Sequence, residues 1–210
     1  CKHCNIRFKS LGVESYVPID LVRQCKIVED AEFWRGRRVY LGLDLSMTED
    51  NTALAMVCEV DGVLYAKVWG FIPAYSVELK SKKESLDYKR FFRLGYCFPC
   101  GDRVIDYGFV EEFILSIPQR YGVEILSLGF DKYNALSTVQ KLEAAENPIE
   151  CVEIKQHSSL LHAPTKLLKE HILHGALRYD ENELLESGFE NARCTEDTNL
   201  NKYVNKKKSA

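Results

Sequence analysis

Two stretches of this chain run through apolar residues into a carboxylate. In "VYLGLDLSMTEDNTAL" the run Val39 to Leu43 ends on Asp44, and in "VEILSLGFDKYNA" the run that starts at Val123 ends on Asp131. An ionised carboxylate beside an apolar strand is costly unless something compensates it. Taken singly, either acid reads best as a turn cap. Taken together, on neighbouring strands, they would project about 4.8 Å apart, and two carboxylates that close raise one pKa or demand a cation. A hard divalent ion such as Mg²⁺ or Mn²⁺ accepts such oxygen ligands and keeps several waters. Two such ions, roughly 3.5–4 Å apart, can hold the attacking water and the leaving 3′ oxygen of a phosphodiester in line.

Competing chemistries fit less well. Asp44, Ser46, Thr48 and Asp50 imitate the first positions of a calcium loop, but Glu49 stands where that loop needs Gly and Ala55 where it needs a bidentate Glu. No Gly-rich phosphate cradle of either common pattern is present, and Ser46 and His157 lie in no nucleophile elbow. The pairs in "CKHC" (Cys1, Cys4) and "CFPC" (Cys97, Cys100) are far more widely separated than the roughly 15–20 residues of a zinc ribbon. The eight cysteines therefore read as reduced, mostly small core residues. His171 and His174 suit a helix C-terminus better than a metal.

The elements that must position the two acids follow from periodicity. Residues 38–46, 52–60 and 63–71 are strand-like, and Asp61-Gly62 between the last two is a hairpin turn, which predicts a three-strand antiparallel meander. A charged helix is expected around 76–94, followed by a turn-rich "GYCFPCGD". A helix over 106–117 carries Val110, Phe113, Ile114 and Ile117 on one face, with Pro118 ending or kinking it. A strand at 123–131 leads to a helix capped by Asn134 with Leu136, Val139 and Leu142 inward. A strand over 149–154 and a helix opened by Pro164 and closed by Gly175 complete the series, and the acidic "YDENELLESGFENA" reads as a further helix or helix-loop. The order predicts an α/β fold, a mixed sheet flanked by helices on both faces. It fits a ribonuclease H-like arrangement, in which the first and fourth strands lie side by side.

With 210 residues, 46% of them hydrophobic, the chain suits one domain over 37–210, with residues 1–36 as an arm leading into it. A formal charge of −3 argues against coating nucleic acid by bulk charge, although Lys80, Lys82, Lys83, Lys89, Arg90 and Arg93 cluster in one stretch and more lysines close the chain. A solvated face accounts for those clusters as readily as a phosphate contact. No apolar run approaches the ~20 residues of a membrane span, so the expected location is cytoplasmic, with no membrane partner. The start at Cys1 and the stop at "NKKKSA" suggest a piece of something longer.

In sum of motifs, the chain resembles the C-terminal nuclease domain of the large terminase subunit of tailed bacteriophages. The first acidic stretch resembles that family's first motif, "LSLGFDKYNA" its second, and "VEIKQHSSLLHAPTKLLKEHILHGAL" the segment that follows, with Gln156, Pro164 and Lys166 at familiar places. "CKHCNIRF" resembles the end of the linker from the motor domain. The resemblance implies a metal-dependent endonuclease that cuts concatemeric double-stranded DNA in the bacterial host cytoplasm. It implies Asp44 and Asp131 as catalytic metal ligands for Mg²⁺ or Mn²⁺ in a two-metal site. It also implies an ATPase domain N-terminal to this region, with the small terminase subunit and the portal protein as partners. A third family acid normally lies just beyond a segment like "NKKKSA"; Asp180 and Asp197 stand in no matching motif. Lys132 and Lys166 are the basic residues to test for DNA contact, and each reads equally as an exposed charge. Two rival classes stay open: a resolvase- or integrase-type nuclease on the same fold, and an inactive module that docks on DNA or portal.

Overall fold

The computed structural model describes residues 14–28, 30, 32–47, 51–132 and 134–205. The "CKHC" pair, Thr48, Glu49, Asp50 and Lys206 to Lys208 lie outside them. In chain order the elements are β1 (Glu14–Ser15), α1 (Ile19–Arg23), β2 (Lys26–Ile27), β3 (Arg38–Asp44), β4 (Thr52–Val60), β5 (Val63–Ile72), α2 (Val77–Glu84), α3 (Tyr88–Leu94) and β6 (Cys97–Pro99). Then come α4 (Tyr107–Tyr121), β7 (Glu124–Phe130), α5 (Leu136–Glu143), β8 (Cys151–Glu153), α6 (Ser158–Leu173), β9 (Leu177–Asp180), α7 (Glu183–Asn191), β10 (Arg193–Glu196) and β11 (Lys202–Val204).

Among the described residues the main sheet runs β2-β9-β5-β4-β3-β7-β8, with β6 also pairing β5. The antiparallel meander β3-β4-β5 is present, and its hairpin turns on Asp61 (φ 51°) and Gly62 (φ 76°), the two positive angles of a type I′ turn. β7 runs parallel to β3 and β8 parallel to β7, so the first and fourth strands of the predicted series are neighbours. A small second sheet joins β1, β10 and β11.

Alternation decides which face is buried. Val39, Leu41 and Leu43 of β3 are buried with Leu54, Met56, Trp69 and Phe71, and they meet Val110, Phe113, Ile114 and Ile117 of α4 and Val139 and Leu142 of α5. Trp69 and Phe71 meet Phe113 edge-on, with ring centroids 5.3 and 5.2 Å apart. The opposite face is covered over β5 and β9, where Leu64, Ala66, Leu177 and Tyr179 pack with Val22, Leu168, Ile172 and Phe189. Over β3 and β8 it stays open, with Tyr40, Val152 and Ile154 exposed.

Several expectations need correction. The charged helix over 76–94 is two helices, because Ser85 turns left-handed (φ 55°) and Asp87 caps a new start by accepting from the Arg90 N–H. "GYCFPCGD" contains β6. α4 continues past Pro118 to Tyr121; the bond to the Ile114 carbonyl that the ring cannot make falls in the last turn, where its loss matters little. Asn134 is itself left-handed (φ 63°), the cap position of α5 is Ala135, and Leu136 is exposed. α6 begins at Ser158, so Pro164 lies inside it. Burial pushes the Cys97 thiol up to about 12 and the Cys100 thiol up to about 11, which suits core residues and not thiolate ligands. No described helix is long and apolar enough to cross a membrane.

Candidate active site

Register brings the two acids together. β3 and β7 pair in parallel with Gly42 opposite Gly129 and Leu43 opposite Phe130. Asp44 is the last residue of β3 and Asp131 follows the last residue of β7, so one more step of the same register sets them side by side. Leu43 and Phe130 point into the α4/α5 core. By alternation the carboxylates therefore leave on the other, open face, at the carboxyl ends of parallel strands, where α/β sheets place their ligands. Asp44 is exposed and Asp131 half-buried.

Two glycines lie behind them, and only Gly42 leaves the face bare. A Cβ on Gly42 would meet nothing within 4 Å, and one on Gly129 would come 3.1 Å from Ile154 Cγ1. The backbone leaving Asp44 is braced by polar contacts. The Ser46 N–H donates to Oγ1 of fully buried Thr52 at 3.0 Å, and the Ile105 N–H donates to the Met47 carbonyl at 3.2 Å. Where the chain returns, Asn51 Nδ2 donates to Tyr88 Oη at 3.0 Å and that hydroxyl donates to the Glu84 carboxylate at 2.5 Å. Beyond Asp131, the Ile154 N–H donates to the Phe130 carbonyl at 2.7 Å, which fixes the end of β7.

Among the described residues no group of three or more His, Cys, Asp or Glu could hold an ion. Two neighbouring carboxylates on an open face nonetheless fit a hard divalent ion whose remaining ligands are waters or phosphate oxygens. They do not fit a closed tetrahedral nitrogen or sulfur site.

Lys132 is exposed directly beside Asp131. Lys166 is set elsewhere: it lies on α6 with its Nζ 3.7 Å from Glu170, next to Thr165, whose carbonyl accepts from Tyr16 Oη at 2.7 Å. Its surroundings are the small sheet. Asp180 pairs with Lys67 at 3.4 Å, and Asp197 closes a turn by accepting from Ser158 Oγ at 2.6 Å and from the Asn201 and Asn199 N–H groups. Those hydrogen bonds, led by the one from Ser158, hold the Asp197 carboxyl well below the usual range. Both acids are occupied structurally. Periodicity alone missed the loop of residues 100–106, which bonds to the segment after Asp44; that tie is long-range, and no local spacing announces it.

Known proteins resemble this chain in sequence and in fold. Residues 1–210 match the family described as terminase large subunit, endonuclease domain. The chain is 26% identical over 174 residues to the terminase large subunit of Enterobacteria phage HK97, covering 82% of this chain and 34% of that protein. It thus spans about a third of that relative's length. The crystal structure of the HK97 large terminase superposes with a TM-score of 0.84 at 24% identity, over 94% of this chain and 40% of that one. The g2p nuclease domain of bacteriophage SPP1, solved with bound Mn, superposes with a TM-score of 0.53 at 14% identity, over 87% and 85%. These likenesses are to the ribonuclease H-like fold described above.

Proposed function

The chain belongs to the endonuclease-domain family of terminase large subunits, and from that premise we propose that it hydrolyses DNA phosphodiesters at the paired carboxylates Asp44 and Asp131. The observation that carries the reading is the β3/β7 register, which sets the two acids on one open face in a chain matched by the family along its whole length.

In this reading Asp44 and Asp131 would hold divalent metal, Mg²⁺ or Mn²⁺, as a two-ion site. Such ions supply positive charge to the phosphate and acidify the attacking water. The rest falls to the chain. Strand ends fixed by Thr52 and by the β7–Ile154 bond hold the two acids in place, and the bare strand at Gly42 admits a nucleic-acid backbone close to Asp44. Lys132 steadies a phosphate beside Asp131. Lys166 belongs to a more remote contact on the same duplex. Grip through phosphates carries little base reading and weakens steeply with salt.

The substrate in this proposal is concatemeric double-stranded phage DNA in the host cytoplasm, cut while a motor domain preceding this region translocates it. Small subunit and portal are its partners. Residues 37–210 form the nuclease domain and residues 1–36 lead into it; of these, Trp34 inserts into the α4/α5 core and β2 pairs with β9, so the lead-in is braced against the domain.

The test is supercoiled plasmid with Mn²⁺ or Mg²⁺, alongside Asp44→Asn, Asp131→Asn and a form extended past Ala210. Metal-dependent nicking that both substitutions abolish supports the reading, and cutting by the extended form alone points to a third carboxylate there. Preference for branched DNA would favour a resolvase-type enzyme. Inert forms with no saturable metal-induced thermal shift would leave a docking module instead.

A further inference from the structure

We infer that Arg103 grips a phosphate of the DNA backbone beside Asp44, an assignment that rests on the nuclease reading above. Strand register fixes where its loop leaves the sheet. Asp44 pairs with Ala53, Ala53 with Gly70 and Gly70 with Cys97. The carboxyl ends of β3, β5 and β6 therefore lie along one edge, and residues 100–106 start from that edge.

The loop is tied to the site on one side and to β5 on the other. The Ile105 N–H reaches the Met47 carbonyl at 3.2 Å, and Tyr107 Oη at the start of α4 donates to the Ser46 carbonyl at 3.4 Å, so the loop and the helix that follows it bond to the third and second residues after Asp44. The Ala74 N–H donates to the Gly101 carbonyl at 3.0 Å and the Tyr75 N–H to the Asp102 carbonyl at 2.9 Å. Gly101 sits at φ +73°, where a Cβ would fall 2.1 Å from the Val104 carbonyl oxygen, so only glycine allows this turn.

On that loop Arg103 is exposed, with its guanidinium carbon 5.1 Å from the centroid of the Tyr75 ring. Among the described residues it meets no carboxylate at ion-pair distance. Of the acids that flank it, Asp106 is engaged in capping α4, accepting from the Gly108 and Phe109 N–H groups at 2.9 and 3.4 Å, while Asp102 is exposed on the turn. A planar guanidinium resting on an aromatic face loses little freedom when it binds, and its fork matches two phosphate oxygens. A cation in that position offsets the repulsion between a polyanion and two strand-end acids.

The experiment measures binding of the 210-residue chain to a fluorescent 30-base-pair duplex across a salt series, with Ca²⁺ replacing Mg²⁺ so that the duplex stays whole. Arg103→Ala should bind about tenfold more weakly at moderate salt and lower the slope of log affinity against log salt by about one. Arg103→Lys should keep most of the slope and recover only part of the affinity. Melting temperature and the Mn²⁺-induced thermal shift should match the parent chain in both. An unchanged slope in Arg103→Ala overturns the assignment while leaving the nuclease reading standing. A parent chain with no salt-dependent DNA binding overturns both.

Discussion

Two carboxylate sites in this fold are built in opposite ways. Glu186 in α7 is buried, and protein groups surround it: Arg23 Nε at 3.1 Å, Lys26 Nζ at 3.4 Å and Tyr179 Oη at 3.0 Å. Asp44 and Asp131 stand at strand ends on an open face, with solvent on one side. The Glu186 cluster ties α1 and β2 to α7, so its work is cohesion. The strand-end pair lies outside the core, with Asp44 exposed and Asp131 half-buried. A buried acid ringed by protein groups is a fastening, and two acids at adjoining strand ends on an outer face form a place that a hard cation can reach.

The largest effect should come from breaking the open site. Asp44→Asn or Asp131→Asn should lower metal-dependent nicking by two to three orders of magnitude, since the ion contribution amounts to several kcal/mol at about 1.4 kcal/mol per tenfold. The melting temperature should hardly move. A matching fall in melting temperature would show that these acids are fastenings too, and the contrast would collapse.

Glu186→Ala should do the reverse, costing about 2–3 kcal/mol in urea titration and sparing the nicking rate of the folded fraction. The figure lies below that for a fully buried pair because Arg23 and Lys26 are partly exposed. The same site sharpens the comparison through pH. Burial raises the Glu186 carboxyl, but hydrogen bonds from Arg23, Tyr179 and Lys26 and the Lys26 charge outweigh it and hold it below its ordinary 4.5. A depressed folded-state pKa gives stability that is complete above the unfolded value and lost as pH falls through the folded one. The parent chain should therefore lose stability below about pH 4.5 more steeply than Glu186→Gln. Parallel curves for the two would show that Glu186 is not the titrating group.

Legibility in the sequence followed the range of the interaction. The meander was readable because strand alternation and an Asp-Gly turn are local signals, and the two acids because each closes an apolar run. β9 was missed: its four residues include Arg178 and Asp180, and its strand character comes from pairing with β2 and β5, both remote in sequence. The break between α2 and α3 depends on a left-handed serine that no glycine announces. The Arg103 loop and the Glu186 cluster are assembled by contacts that span the chain, which no local pattern encodes.

The smallest effect tests the floor of the open site itself. Gly42 and Gly129 are register partners in mid-strand, where glycine costs roughly 0.5–1 kcal/mol relative to alanine through backbone entropy. Their surroundings differ. Gly42 has empty space where a Cβ would go, so Gly42→Ala should gain most of that stability. At Gly129 the added carbon meets Ile154 Cγ1 at 3.1 Å, and Ile154 must give way, so Gly129→Ala should gain little or nothing. If the floor exists to let a DNA backbone lie close to the acids, the more stable Gly42→Ala protein should also bind duplex less tightly, and Gly42→Val less tightly again. Gains in stability with undiminished DNA affinity would show that the bare strand is no part of the site, leaving the acids to act without it.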